Sequence, residues 1–262
     1  MHLLQAISGL YAASGFVVGM LVGLTGVGGG SLMTPLLVLL FKFHPATAVG
    51  TDLLYAAATK TVGSAVHGWR NTIEWPVVRR LAYGSVPGAA VTLLALSYLG
   101  AQSKAQAAVI TTVLGVALLL TSATVLFRPQ ILAFAQKRLR EPSPGRVAVL
   151  TVITGLILGV LVSLTSVGAG ALGVTALLLL YPRLPTVRVV GSDIAHAVPL
   201  TLVAGLGHWM IGTVDGHLLV SLLCGSIPGI ICGSLLATRA PDMLLRPILA
   251  ITLILVGGRL VM

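Results

Sequence analysis

The chain has 262 residues, 56% of them hydrophobic and 8% charged, with a mean hydropathy of +1.04. That balance excludes a water-soluble domain with a polar surface and describes a polytopic membrane protein. The net charge of +10 does not point to nucleic acid, because the basic residues sit in short loops between apolar runs; their expected partners are anionic lipid headgroups, and their expected role is to set orientation.

Apolar runs bounded by helix breakers predict five segments in the first half, at about 8 to 24, 31 to 43, 46 to 66, 76 to 98 and 105 to 127. The second half repeats them at about 147 to 165, 171 to 181, 188 to 210, 215 to 237 and 243 to 261. The first run, Leu10 to Leu24, lacks the basic start and small-residue cleavage site of a secretory signal, so it is read as part of the mature fold. The second segment of each half has only about 11 to 13 residues, whereas a crossing needs roughly 20. Those two segments are therefore short or re-entrant, and their irregular backbone must be satisfied by protein or a wet cavity. Pro87 and Pro228 sit inside equivalent segments and should kink them. Gly15, Gly19 and Gly23, and likewise Gly225, Gly229 and Gly233, recur every four residues and should let helices approach closely. Trp69, Trp75 and Trp209 fall at segment ends, as interfacial aromatic residues do. Cys224 and Cys232 lie in one segment, about 12 Å apart along a helix, too far for a disulfide.

The two halves are copies. Gly15 to Ser31 (GFVVGMLVGLTGVGGGS) returns as Gly155 to Ala171 (GLILGVLVSLTSVGAGA), with nine of the first sixteen paired positions identical. One residue later in register, Val49-Gly50-Thr51-Asp52 answers Val190-Gly191-Ser192-Asp193, His67 answers His208, and Gly84-Ser85-Val86-Pro87-Gly88 answers Gly225-Ser226-Ile227-Pro228-Gly229. Paired halves with broken apolar helices are how many secondary transporters build a site at the membrane midplane. The expected division is a first membrane repeat over 1–127, a basic linker over 128–146 and a second repeat over 147–262.

Charge orients the repeats. With the polar linker in the cytoplasm and an odd number of segments per half, that side receives Arg70, Arg79, Arg80, Arg183, Arg188, Arg239 and Arg246 besides the linker's own five basic residues. The other side receives Lys42, Lys104 and Arg259, and twelve against three obeys the positive-inside rule. An even count gives nine against six, so the odd count is preferred, which inverts one half relative to the other and puts both termini outside.

With TGVGGGSLMTPLL and AVGTDLLYAAATKTVGSAVHG in view, the chain resembles the TauE/SafE sulfite exporter family, also called the toluene sulfonate uptake permease family. The resemblance spans nearly the whole chain outside the linker and is sharpest at Gly26 to Ser31 and Val49 to Gly68. It implies a bacterial-type inner-membrane carrier for sulfur-containing anions such as sulfite, thiosulfate or organosulfonates. The second half departs at Ser166 and Ala169, which stand where the first has glycines.

A glycine-rich break before a helix presents backbone amides along the positive end of the helix dipole, which suits an oxyanion. Gly28, Gly29, Gly30 and Ser31 form such a break, and Gly168, Ala169, Gly170 and Ala171 form its partner. The hydroxyls of Thr25, Ser31, Thr165 and Ser166 would donate to substrate oxygens. The plainer reading is a tight turn capped by threonines; its recurrence in both halves inside a membrane favours an anion site. A dinucleotide-binding reading of the glycines lacks a strand and a downstream acid, and no Walker lysine follows, so no cofactor and no ATP are expected.

Intramembrane charge is the second signal, because charge there is expensive. Asp52, Lys60 and His67 share the third segment and lie close to one helical face; Asp193, Thr201 and His208 are their counterparts. The aspartates either couple protons to transport or only stabilise a helix N-terminus after Pro45 and Pro185. Lys60 either neutralises an anionic substrate or pairs with Asp52. His67 and His208 serve as proton relays or as hydrogen-bonded histidines at segment ends. His196 faces Tyr55 in the repeat alignment and is read as a polar lining residue.

The expectation is an all-α membrane carrier with inverted repeats, moving a small sulfur oxyanion held between two glycine breaks, with protons as a chemically reasonable coupling ion. Two rivals are weighed: a passive anion channel on the same breaks, and an intramembrane enzyme, which lacks HExxH and GxSxG patterns. The sequence leaves substrate, direction and oligomeric state open.

Overall fold

The computed structural model describes residues 8–25, 30–138, 143–236 and 242–261. These form helices and no strand among the described residues, as a bilayer demands of a chain that must satisfy its own backbone. The helices are α1 (Gly9–Thr25), α2 (Gly30–Leu39), α3 (Pro45–Trp69), α4 (Trp75–Tyr98) and α5 (Lys104–Arg138), followed by α6 (Pro144–Thr165), α7 (Ala171–Leu180), α8 (Thr186–Ile211), α9 (Gly216–Leu236) and α10 (Asp242–Val261).

Each expected segment is a helix, and the short second segments are α2 and α7, ten residues apiece, about 15 Å of helix and too short to cross. The main departure is α5. The expected boundary at residue 127 is passed, and the helix continues through Pro129 into the basic stretch. A proline removes one backbone donor and kinks a helix, but the following Ile131, Leu132 and Ala133 favour its continuation.

Among the described residues, five helices are long and apolar enough to cross: α4 to α6, α8 and α9. α3 is 25 residues long but polar, which matches a position inside the bundle, packed on α2, α8 and α9. Around the central α3–α8 pair, α1 lies along α9, α4 along α6, and α5 along α10. The first helix of each half thus packs on the fourth helix of the other.

Glycine makes those contacts possible. A Cβ on Gly15 or Gly19 would strike the backbone of Leu222 or Ser226, and one on Gly225, Gly229 or Gly233 would strike Ala12, Phe16 or Met20. The equivalent α4–α6 seam repeats the device, with Gly84 against Val152 and Gly155 against Leu81. Pro87 and Pro228 lie within α4 and α9, as expected. Outward faces stay apolar, with Tyr83, Val149, Ile157, Ile231 and Leu255 exposed, and Trp69, Trp75 and Trp209 exposed at helix ends. Cys224 and Cys232 are free thiols on the outer face of α9.

Candidate functional site

The second glycine break is built by three residues with positive φ. Ser166 ends α6 in the left-handed region at φ 58°, and Gly168 and Gly170 follow at 123° and 124°. Glycine reaches the last two conformations without strain, and a short polar residue tolerates the first. The turn closes on itself: Gly173 and Val174 amides donate to the carbonyls of Gly168 and Gly170, at 3.1 and 3.0 Å.

Thr165, expected to donate to an anion, is committed elsewhere. Its hydroxyl donates to the Leu161 carbonyl at 2.6 Å and its oxygen accepts the Val167 amide at 3.0 Å. It caps the turn. Ser166 is different: its buried hydroxyl makes no hydrogen bond of good geometry and faces the Asp52 carboxylate of the first half. In the first half, Gly28 and Gly29 lie outside the described residues. For Thr25, Gly30 and Ser31 the structure establishes only that they end α1 and begin α2.

Asp52 and Asp193 are each the eighth residue of their helix, well past the first turn. The helix-end reading is therefore overturned. Both are fully buried, at 0% and 1% exposure, and in each Oδ1 has no hydrogen-bond partner. Their surroundings differ. The Thr34 hydroxyl donates to Asp52 Oδ2 at 2.5 Å, whereas Asp193 meets the Gly170 backbone and fills the space that a side chain at Gly173 would take. Lys60 acts electrostatically on both carboxylates. Its Nζ donates to the Ala169 carbonyl of the second break at 3.4 Å. One half-buried cation thus serves two buried acids and reaches across the interface between the halves.

The histidines form a separate layer. His67 Nδ1 pairs with Thr72 Oγ1 at 2.8 Å, and Thr72 Oγ1 donates to the His67 carbonyl at 3.1 Å. His208 and Thr213 repeat this at 2.8 and 3.0 Å, and His208 Nε2 adds a contact to the Ser163 carbonyl at 2.9 Å. Gly191 lies under His67, where a Cβ would crowd the ring, and Gly50 lies against His208, where a Cβ would strike the His208 Cβ and the Thr213 carbonyl. These are locks at the ends of α3 and α8, each against the other half. A third repeated link has the Glu74 amide donating to Ser192 Oγ at 2.8 Å and the Asp215 amide to Thr51 Oγ1 at 3.1 Å.

Sequence reasoning missed Thr34, which no periodicity connects to Asp52, and the partner of His196. Ser85 Oγ and His196 Nε2 pair at 2.8 Å, both fully buried. Their repeat counterparts, Ser226 and Tyr55, face each other between α9 and α3, buried and outside hydrogen-bond geometry. The repeat aligns Ser85 with Ser226 and Tyr55 with His196, but nothing in residue order brings the members of either pair together.

Physically, the centre holds buried acids, a lysine and a glycine turn, with several polar atoms lacking partners among the described residues. Each such atom costs about 1–3 kcal/mol unless something polar meets it, which is unusual for a centre that serves only packing. The family model described as Sulfite exporter TauE/SafE matches residues 11–260. The chain is 40% identical over 250 residues to the probable membrane transporter protein YjnA of Bacillus subtilis (strain 168), covering 93% of this chain and 95% of that one. It is 27% identical to the probable membrane transporter protein YdhB of the same organism, covering 92% of this chain and 95% of that one. A probable membrane transporter protein of Xylella fastidiosa (strain 9a5c) is 26% identical, with 86% and 83% covered. No solved structure matches the chain.

Proposed function

The chain belongs to the sulfite exporter TauE/SafE family, a membrane transporter family, and from that premise we propose that it carries a small sulfur-containing anion, sulfite, thiosulfate or an organosulfonate, across the cytoplasmic membrane. The observation that carries this reading is the shared centre: Asp52 and Asp193, fully buried with an unpaired oxygen each, and Lys60 spanning from one half to the break of the other.

In the proposed mechanism the anion lies between the two breaks. Lys60 supplies positive charge, Ser166 a hydroxyl, and the amides around Gly168 and Gly170 the positive end of α7; Gly28, Gly29, Gly30, Ser31 and Thr25 do the same from the first half. An anion next to two ionised carboxylates is repelled, so loading the site and protonating an aspartate favour each other. That linkage makes the anion and proton travel together. The two halves are taken as inverted, so that rocking one against the other exposes the centre to each side in turn. The linker end is cytoplasmic and both termini are outside, following the distribution of arginines. The membrane potential alone drives an anion outward from a negative-inside cell. His67 and His208 hold helix ends in this scheme and move no proton.

The test is uptake of isotope-labelled sulfite, with thiosulfate and taurine as competitors, into proteoliposomes under an imposed pH gradient. Native protein should show saturable, gradient-dependent flux; Asp52→Asn and Asp193→Asn should lose the gradient dependence, and Ser166→Ala should weaken binding. Native proteoliposomes that move no sulfur anion would sink the substrate assignment, and gradient-dependent flux in both aspartate variants would sink the coupling.

A further inference from the structure

Away from the buried centre, a cavity of about 450 Å³ opens where α4, the start of α6 and the end of α7 meet. Arg80, Tyr181 and Arg183 supply its polar wall, and Val147, Leu180 and Leu184 are among its apolar residues. None of the central acids lines it. We propose that this cavity binds the phosphate headgroup of an anionic phospholipid, phosphatidylglycerol being the simplest example.

The hydrogen bonds fix the guanidinium. Thr151 Oγ1 donates its one proton to the Val147 carbonyl at 2.7 Å, so the Tyr181 hydroxyl must donate to Thr151, at 2.8 Å. The Tyr181 oxygen is then left to accept from Arg80 Nη1, at 3.2 Å. Arg80 is half-buried, has no carboxylate partner among the described residues, and retains donors in a fixed planar array suited to phosphate oxygens. Arg183, exposed, also lines the cavity.

The apolar wall selects the source of the phosphate. A free inorganic anion gains nothing from Val147, Leu180 and Leu184, whereas a phospholipid brings glycerol and acyl carbons to cover them. One turn beyond Arg80 on α4 and Val147 on α6, Tyr83 and Leu150 are exposed to the surroundings of the bundle, which offers the acyl chain a continuous apolar track. A volume of this size lies in the range of ligand pockets. The cavity lies at the arginine-rich end, where a basic pocket between helices meets anionic headgroups.

The full chain would be purified, stripped of lipid by detergent exchange, and offered vesicles of phosphatidylcholine with or without phosphatidylglycerol; bound lipid would be counted by native mass spectrometry. Native protein and Arg79→Gln, an exposed neighbour outside the cavity, should retain phosphatidylglycerol over phosphatidylcholine, and Arg80→Gln/Arg183→Gln should lose at least about tenfold in retention. Arg80→Lys keeps the charge and should keep the lipid in part. If the double variant does not fold, Arg80→Gln alone should still lower retention. Equal retention of both lipids, unchanged retention in the arginine variants, or displacement by inorganic phosphate or sulfite at millimolar concentration would overturn the proposal, the last by making the cavity a free-anion site. Because the readout is bound lipid, it stands or fails independently of whether sulfite is transported.

Discussion

Replacing Lys60 by methionine keeps the side chain's length and removes the cation that two buried acids share. Asp52 accepts a hydrogen bond from the Thr34 hydroxyl besides feeling the Lys60 charge, whereas Asp193 has the Lys60 charge and the Gly170 backbone beside it. Breaking a fully buried pair by deleting one partner costs roughly 3–5 kcal/mol. Lys60 is half-buried, so the expected loss is about 2–3 kcal/mol, or about 30- to 150-fold in the folded-to-unfolded ratio. The structure also predicts an asymmetry. Adding Asp193→Asn to Lys60→Met should recover about 1–2 kcal/mol, because the stranded charge disappears with the lysine. Adding Asp52→Asn should recover less than about 0.5 kcal/mol, since Thr34 still donates to Oδ2 of that side chain. Unfolding of the full chain by SDS in mixed micelles measures both double-mutant cycles. If Lys60→Met unfolds at the native SDS fraction, or if the two cycles give equal couplings, Lys60 is not the shared counter-charge and the reasoning fails.

Three further expectations use the same unfolding assay. Gly225→Ala places a Cβ 2.6 Å from the Ala12 carbonyl carbon and 2.9 Å from the Phe16 amide, forcing α1 and α9 apart at about 1–3 kcal/mol. Gly145→Ala, with nothing within 4 Å, should stay within about 0.5 kcal/mol of native; equal effects would remove close approach as the reason for the glycines. Gly170→Ala, at φ 124°, should cost about 1–3 kcal/mol through backbone strain and also depress sulfite flux, whereas full stability in that variant would mean that the turn relaxes freely. His208→Ala should destabilise by about 2–3 kcal/mol and His67→Ala by about 1 kcal/mol, because only His208 is fully buried and also reaches Ser163; the reverse order would refute the two locks as described.

Much of the architecture was legible from residue order alone. Apolar run length and glycine or proline breaks foretold each helix, including the two ten-residue ones, because in a bilayer the backbone must pair within its own segment and local sequence decides where it does. The repeat placed Asp52 with Asp193 and His67 with His208, and four-residue glycine spacing marked the seams before their partners were known. The end of α5 was misjudged, since a proline is a weaker stop where strong helix formers follow it.

What a side chain does once it is inside was settled only by contacts between distant helices. Thr34 reaches Asp52, Lys60 reaches Ala169, Ser85 reaches His196, and none of these pairs shares a face, a period or a motif. Thr165 and Ser166 are neighbours of the same chemical type, yet the hydroxyl of one returns to its own helix while the other faces the opposite half. The sequence therefore determined which segments cross, which repeat and which carry charge into the membrane, all of which follow from hydrophobicity and backbone pairing along one chain. Tertiary structure decided which of those polar groups meet, because a hydrogen bond or ion pair depends on atoms a few ångströms apart on helices that residue order alone does not bring together.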